Sequence, residues 1–275
     1  MKSGNAALTL SMLSIALCTT GAFAADSIGE PGRSLGKKNP LNNVYFGEQH
    51  LHTQNSPDAY AMGTRNTPDD AYNFCKGKAV KKNTTGEMVQ KKTPYDWCAV
   101  TDHAEYMGVM PQLSDPKSKL MTKHKDNEVI QLILSGDPKK GDQAFAMMAR
   151  QLTTLNPDPA FNDPEIISSV WRKHVETTNK HYEPGKFTTL IAFEWTSIPA
   201  NQNLHRNVFF RDDKGPPAPF SALDSDRPED LWTFLQAQRD TGLDTFSISH
   251  NGNLSNGLMY APRDSAGTPI NARYA

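Results

Sequence analysis

The sequence predicts an α/β fold in which short strands alternate with helices, in the manner of a (β/α) barrel. Two observations carry that prediction. Short apolar runs end repeatedly in ionisable residues: Val44-Tyr45-Phe46 leads to His50-Leu51-His52, Tyr95 to Val100 to Thr101-Asp102-His103, Phe187 to Phe193 to Glu194, and Thr245 to Ser249 to His250. Between them lie segments with helical periodicity and helix-start signals. Strands alternating with helices imply parallel pairing, and a (β/α) barrel collects its chemistry at the C-terminal ends of its strands. No internal repeat is evident.

The N-terminus is a targeting signal. Lys2 supplies a positive charge, Leu8 to Leu17 is an apolar core, and Ala22-Phe23-Ala24 is a small-x-small cleavage site, which gives a signal peptide over 1–24. The apolar core is too short to span a bilayer, so the expected location is periplasmic or secreted, without a stable membrane anchor. Cys18 after an apolar run admits a lipoprotein, but Leu17 is bulkier than such a site accepts, and cleavage after Ala24 is preferred. Residues 25–42, rich in Gly, Pro, Ser and Lys, read as an extended lead-in. The remaining stretch of about 250 residues suits one large domain, placed at 43–275. With 37% hydrophobic and 21% charged residues and a formal net charge of -1, the composition is that of an ordinary globule. It argues against nucleic acid, whose partners are strongly basic, and leaves a small-molecule substrate. Cys75 and Cys98 remain after signal removal. In an oxidising compartment they are a candidate disulfide, the alternative being two buried thiols.

Gln54-Asn55-Ser56-Pro57-Asp58 has turn chemistry. Thr67-Pro68-Asp69-Asp70 starts a helix, with Thr67 as N-cap and the two aspartates at the positive dipole end, so both are caps and not catalysts. Lys76 to Lys92 is a solvated lysine-rich run with a turn at Thr85-Gly86. Residues 114–185 read as a helical insertion whose clearest piece starts at Asp163-Pro164-Glu165. There Ile166, Ile167, Val170, Trp171, His174 and Val175 recur at helical spacing. His124, His174 and His181 read as surface or helix-end residues. A further helix begins near Pro228 and ends at Gly242.

Five of the eight histidines sit at or beside strand ends: His50, His52, His103, His205 and His250. A strand's period of two puts His50 and His52 on one face, half of a metal site. Imidazole suits zinc, manganese and iron. A carboxylate such as Glu194 can give one oxygen to each of two ions, the arrangement used for displacement at phosphorus. Glu194 and Asp102 are the candidate catalytic carboxylates, with Asp102 either a ligand or the acceptor that orients an imidazole. Arg65, Arg206 and Asn251 are candidates to orient a substrate phosphate, against the more ordinary roles of surface salt bridges and turn hydrogen bonds.

The order His50-x-His52, Thr101-Asp102-His103, Glu194, His205, His250 resembles the polymerase-and-histidinol-phosphatase (PHP) superfamily of metal-dependent phosphoesterases. The phrases Tyr45 to Thr53, Pro68 to Tyr72, Val100 to Glu105, Phe193 to Ser197, Asn203 to Asn207 and His250 to Gly257 resemble a secreted bacterial branch of it, catalogued as a domain of unknown function. The resemblance implies a distorted seven-stranded (β/α) barrel holding two or three divalent ions (Zn, Mn or Fe). His50 and His52 would bind one metal and Glu194 would bridge two, with His103, His205 and His250 completing the cluster. Asp58 occupies the loop where relatives carry another acidic or histidine group. The family's late Asp-x-His has no match after His250, so the chain reads as an N-terminal portion with a barrel incomplete at its C-terminus. Two other readings stand beside the phosphoesterase. One is an amidohydrolase-type metallohydrolase, in whose ligand order Thr101-Asp102-His103 has no natural place. The other is a catalytically silent metal-binding protein or inactive fragment.

Overall fold

A three-stranded parallel sheet and a three-stranded antiparallel sheet meet edge to edge, and the predicted ligands gather where they meet. The computed structural model describes residues 43–270. The signal peptide over 1–24 and the lead-in over 25–42 lie outside the described residues. The chain from Tyr45 onward forms one unit.

The parallel sheet has the order β1-β4-β5, with β1 at Gly47–Glu48, β4 at Trp97–Cys98 and β5 at Thr188–Thr189. Gly47 pairs with Trp97, and a Cβ added to it would fall 2.2 Å from the indole. Only glycine lets that ring lie across the strand. Pairing continues past the short strands: the Thr101 amide donates to Leu51 O at 2.8 Å, the Ala104 amide to Glu194 O at 2.8 Å, and the Glu194 amide to Asp102 O at 3.0 Å. His50 and His52 therefore lie at a strand end, as the sequence indicated, in the chain just beyond the two-residue β1. The preceding Val44, Tyr45 and Phe46 are exposed.

The second sheet has the order β6-β7-β8, comprising Ile191–Trp195, Arg206–Phe210 and Thr245–Ser249. Both of its pairings are antiparallel, with Glu194 opposite Asn207 and Arg206 opposite Ser249. This corrects the expectation of parallel pairing throughout. After Trp195 the chain reverses through a short loop containing the single turn Pro199–Asn201, and a reversal that short joins antiparallel neighbours. None of these sheets closes into a barrel among the described residues.

Helices cover the sheets. The first is α1 (Pro57–Ala61), followed by α2 (Pro68–Cys75). The Thr67 side chain and Asp70 cap α2 reciprocally, as the sequence indicated. A hairpin, β2 (Val80–Lys81) with β3 (Met88–Val89), carries the lysine-rich turn. Then come α3 (Val109–Leu113), α4 (Lys119–His124), α5 (Glu128–Leu134), α6 (Pro138–Thr154) and α7 (Pro164–His181). This helical stretch has its own core around Tyr106, Leu120, Ile130 and Phe161. The main core lies between the antiparallel sheet, α7 and α8 (Pro228–Asp240), with Trp171, Phe193, Trp195, Phe210 and Leu231 at its centre. Cys75 at the end of α2 and Cys98 on β4 are joined as a disulfide, Cα to Cα 6.5 Å. His174 and His181 are both buried, the second at the helix end as one of the two readings had it: His174 stacks on Trp171, and His181, the last residue of α7, meets Asp69 Oδ1 at 3.0 Å. No helix among the described residues is long and apolar enough to cross a membrane.

Candidate metal centre

Glu194 sits at the seam between the sheets. Its backbone pairs with β7 on one side and with the Asp102–Ala104 segment on the other. Its side chain, 1% exposed, points to the face opposite Phe193 and Trp195 and divides between two groups of imidazoles. Oε2 lies 3.2 Å from His50 Nε2 and 3.0 Å from His52 Nε2. Oε1 lies 2.7 Å from His205 Nδ1, 3.1 Å from His250 Nε2 and 3.7 Å from His103 Nδ1. Burial alone would raise this carboxyl's pKa, but hydrogen bonds from His205 and His250 to Oε1 outweigh it and hold the group ionised far below the usual carboxylate range.

The tautomer of His52 follows from its partners. Asp102 is fully buried and accepts from the Thr53 amide (2.6 Å), Thr53 Oγ1 (2.7 Å) and Ser56 Oγ (2.9 Å). The Ser56 hydroxyl has one proton and gives it to Asp102, so at 2.7 Å it accepts from His52 Nδ1–H. The Nε2 lone pair of His52 then faces Glu194 and His50. Ser56 Oγ also accepts from the His103 amide at 3.0 Å. Asp102 thus lies fully buried behind Ser56, which links it to His52, an arrangement that fits the orienting role.

His103 is held from both ends, by Thr196 Oγ1 at Nδ1 and by Asp58 Oδ2 at 3.3 Å from Nε2. Burial would lower its pKa, but the Asp58 hydrogen bond and the charges of Glu194, Asp58 and Glu105 raise it to about 9. Asp58 falls to about 2: burial opposes the shift, and the bond to His103 with the charges of His103 and His52 overcomes it. Behind them Glu105 Oε1 accepts from the amides of Thr196 (3.1 Å) and Ala222 (2.6 Å). Asn207, beside Glu194 on β7, donates to Gln49 O at 2.9 Å and ties this sheet to the His50–His52 segment.

The six predicted ligands therefore converge, and Asp58 joins them at the mouth. The three predicted substrate-binding residues do not act together. Arg65 is spent on Tyr60 O (2.6 Å), Thr64 O (2.9 Å) and the Tyr60 ring. Arg206 alternates with His205 along β7 and projects to the opposite face, where burial lowers its pKa to about 10. Asn251 is exposed beside His250, in a left-handed turn with φ 56°. Ser56, Thr196, Glu105 and Asn207 were not singled out from the sequence.

Residues 39–275 match the family described as protein of unknown function (DUF3604). The chain belongs to that family. No curated protein and no solved structure matches it. In this DUF3604 chain the donor set fits divalent cations in two groups, His50 with Glu194 and His250, and His52 with His103 and Glu194. The test of fit is Glu194 Oε2, which is buried and has no hydrogen bond despite two imidazole nitrogens beside it. Ligand atoms around a tetrahedral ion with bonds of about 2.0–2.1 Å sit roughly 3.3 Å apart, close to these separations. Imidazole nitrogen and carboxylate oxygen suit zinc, manganese or iron.

Proposed function

We propose that this chain is a divalent-metal-dependent hydrolase of phosphoesters. The observation that carries the reading is that buried Glu194 is common to both candidate ligand groups, His50 with His250 and His52 with His103. A buried carboxylate shared in this way is suited to bridging two ions. When bound, such ions supply electrophilic activation of water and neutralise charge on the attacked group. The chain's own residues prepare that chemistry. Ser56 and Asp102 fix the lone pair of His52, Thr196 and Asp58 fix the ring of His103, and Asp58 lies half-exposed at the opening. His50, also exposed, marks the side from which a small-molecule substrate enters.

The ligand order supports membership of the PHP superfamily, with the described strands as part of its distorted barrel. Lys2, Leu8 to Leu17 and Ala22-Phe23-Ala24 support export to the periplasm or beyond. Convergence of His103 on Glu194 favours this reading over the amidohydrolase order, which has no place for it.

Metal analysis of the purified protein and assays with p-nitrophenyl phosphate and its bis ester, with manganese or zinc added, test the proposal. The expected result is stoichiometric metal and hydrolysis, with both metal retention and rate reduced at least about 100-fold by Glu194→Gln. A metal-loaded protein that hydrolyses neither ester would overturn the phosphoesterase reading and favour a silent metal-binding protein.

A further inference from the structure

On the face of β7 away from the histidines, Arg206 lines a cavity of about 720 Å³. The cavity is bounded by β7 and β8, the start of α8 and the segment 258–265. Its volume is that of a small-molecule site, and none of the six candidate metal ligands contributes to its wall.

Arg206 is 6% exposed. Nη1 donates to Leu204 O at 2.8 Å and Nη2 makes a long contact to Met259 O at 3.4 Å. The guanidinium carbon lies 5.8 Å from the Trp195 ring centroid. Arginine ion pairs among the described residues involve Arg211 and Arg227, and none reaches Arg206. A guanidinium remains charged when buried, and an ion removed from water without a counter-charge is disfavoured unless something binds it. Two carbonyl contacts leave part of a five-donor fork uncommitted.

The neighbouring wall supplies what an anion needs. Ser249 pairs with Arg206 and Ser247 with Val208, and both serines line the cavity. Tyr260 Oη lies 3.4 Å from Ser249 Oγ. Leu204, Met259 and Leu258 make much of the remaining wall apolar. Asp226, Glu229 and Asp264 also line the cavity, as do Arg227 and Arg263, and Glu229 is already paired with Arg227 at 2.9 Å. Apart from Arg206 the wall thus carries more carboxylates than guanidiniums, which disfavours a multiply charged ligand such as a phosphate monoester.

We propose that this cavity is a binding site for a small monocarboxylate with an apolar body, its carboxylate on Arg206 and the β8 hydroxyls. The planar fork of arginine matches carboxylate geometry, and the apolar wall takes the rest. The assignment is independent of the metal reading. Its competitor is a purely structural Arg206 that braces the carbonyls of Leu204 and Met259.

Titration calorimetry and thermal melts of the full chain with hexanoate, hexanamide and hexyl phosphate separate the two. Hexanoate is expected to bind and raise Tm, with hexanamide and hexyl phosphate each at least about tenfold weaker. Arg206→Met, which keeps length and removes charge, is expected to weaken hexanoate at least about tenfold, as is Ser247→Phe, which fills the cavity. Should Arg206→Met fail to fold, Ser247→Phe decides. Failure of the wild-type chain to bind hexanoate, or undiminished binding in a folded Arg206→Met or Ser247→Phe protein, would overturn the proposal. So would tighter binding of hexyl phosphate. Hexanoate binding that persists in Glu194→Gln keeps this result separate from the metal centre.

Discussion

Ser56 shows how much of the centre rests on one hydroxyl. It donates to Asp102 and accepts from His52 Nδ1–H and the His103 amide, so Ser56→Ala frees one imidazole and leaves Asp102 short of a donor. Metal affinity is expected to fall about 10- to 100-fold, as for other residues that hold a ligand, with the fold intact by circular dichroism; unchanged affinity would show that His52 needs no such support. His174 gives a second prediction of the same scale. Neither of its ring nitrogens makes a hydrogen bond of good geometry, and burial, partly offset by the Asp102 charge and contact with the Ala192 backbone, depresses its pKa. A depressed imidazole pKa keeps stability intact above the unfolded value of about 6.5 and loses it as pH falls below that value toward the folded one. His174→Phe keeps the stack on Trp171 and removes two unsatisfied nitrogens. It is expected to stabilise the metal-free protein by about 1 kcal/mol near neutrality, and by more as pH falls toward 5, as read by urea midpoints. A constant difference across that range would remove His174 from the acid sensitivity. The contrast between these residues explains what could be read beforehand. The ligands were legible because histidine at a strand end is unusual and recurred. Ser56 was not, because one serine before a proline reads equally well as turn chemistry.

At the scale of elements, local signals held, and the expected parallel pairing held in β1-β4-β5 but not in β6-β7-β8. Thr67 and Asp163 both cap the helices they were expected to start, because capping needs only residues within three positions of one another. The direction of β7 and β8 against β6 depends on the route of the chain between them, and no residue in those strands records it. Asp163 lends itself to measurement. It accepts from the Glu165 amide at 2.9 Å and the Ile166 amide at 3.4 Å, and pairs with Lys123 at 2.6 Å and His124 at 3.0 Å. Burial would raise its pKa, but these contacts hold it well below the usual carboxylate range. The stability it contributes is therefore present above the unfolded value of about 3.9 and lost as pH falls through it. Asp163→Ala is expected to cost about 1–2 kcal/mol at neutral pH, shrinking below about pH 4. Denaturant midpoints across that range check it. A penalty independent of pH would mean that packing, not charge, sets the value of this residue.

For the whole molecule, the disulfide is the covalent cross-link, among the described residues, between α2 and β4, the strand that leads to the candidate metal centre. Cys75 closes α2, Cys98 lies on β4, and Tyr72, Val100 and Phe187 pack around them. With a sequence separation of 23 between the two cysteines, loop closure predicts a stabilisation of about 3 kcal/mol. The centre itself is held by other means. Asp102 is fixed by Thr53 and Ser56, and the Ala104 amide joins Glu194 O across the seam; none of these bonds passes through the sulfurs. Reduction should therefore lower the unfolding free energy obtained from denaturant titration by that amount while metal stoichiometry, measured under native conditions, stays the same. If thiol reduction verified by mass instead releases the metal, the position of β4, and with it that of His103, is set by the disulfide and not by the hydrogen-bonded seam. Thr101, Asp102 and His103 follow Cys98 so closely that this experiment discriminates directly between a centre preorganised by the sheet and one clamped from outside.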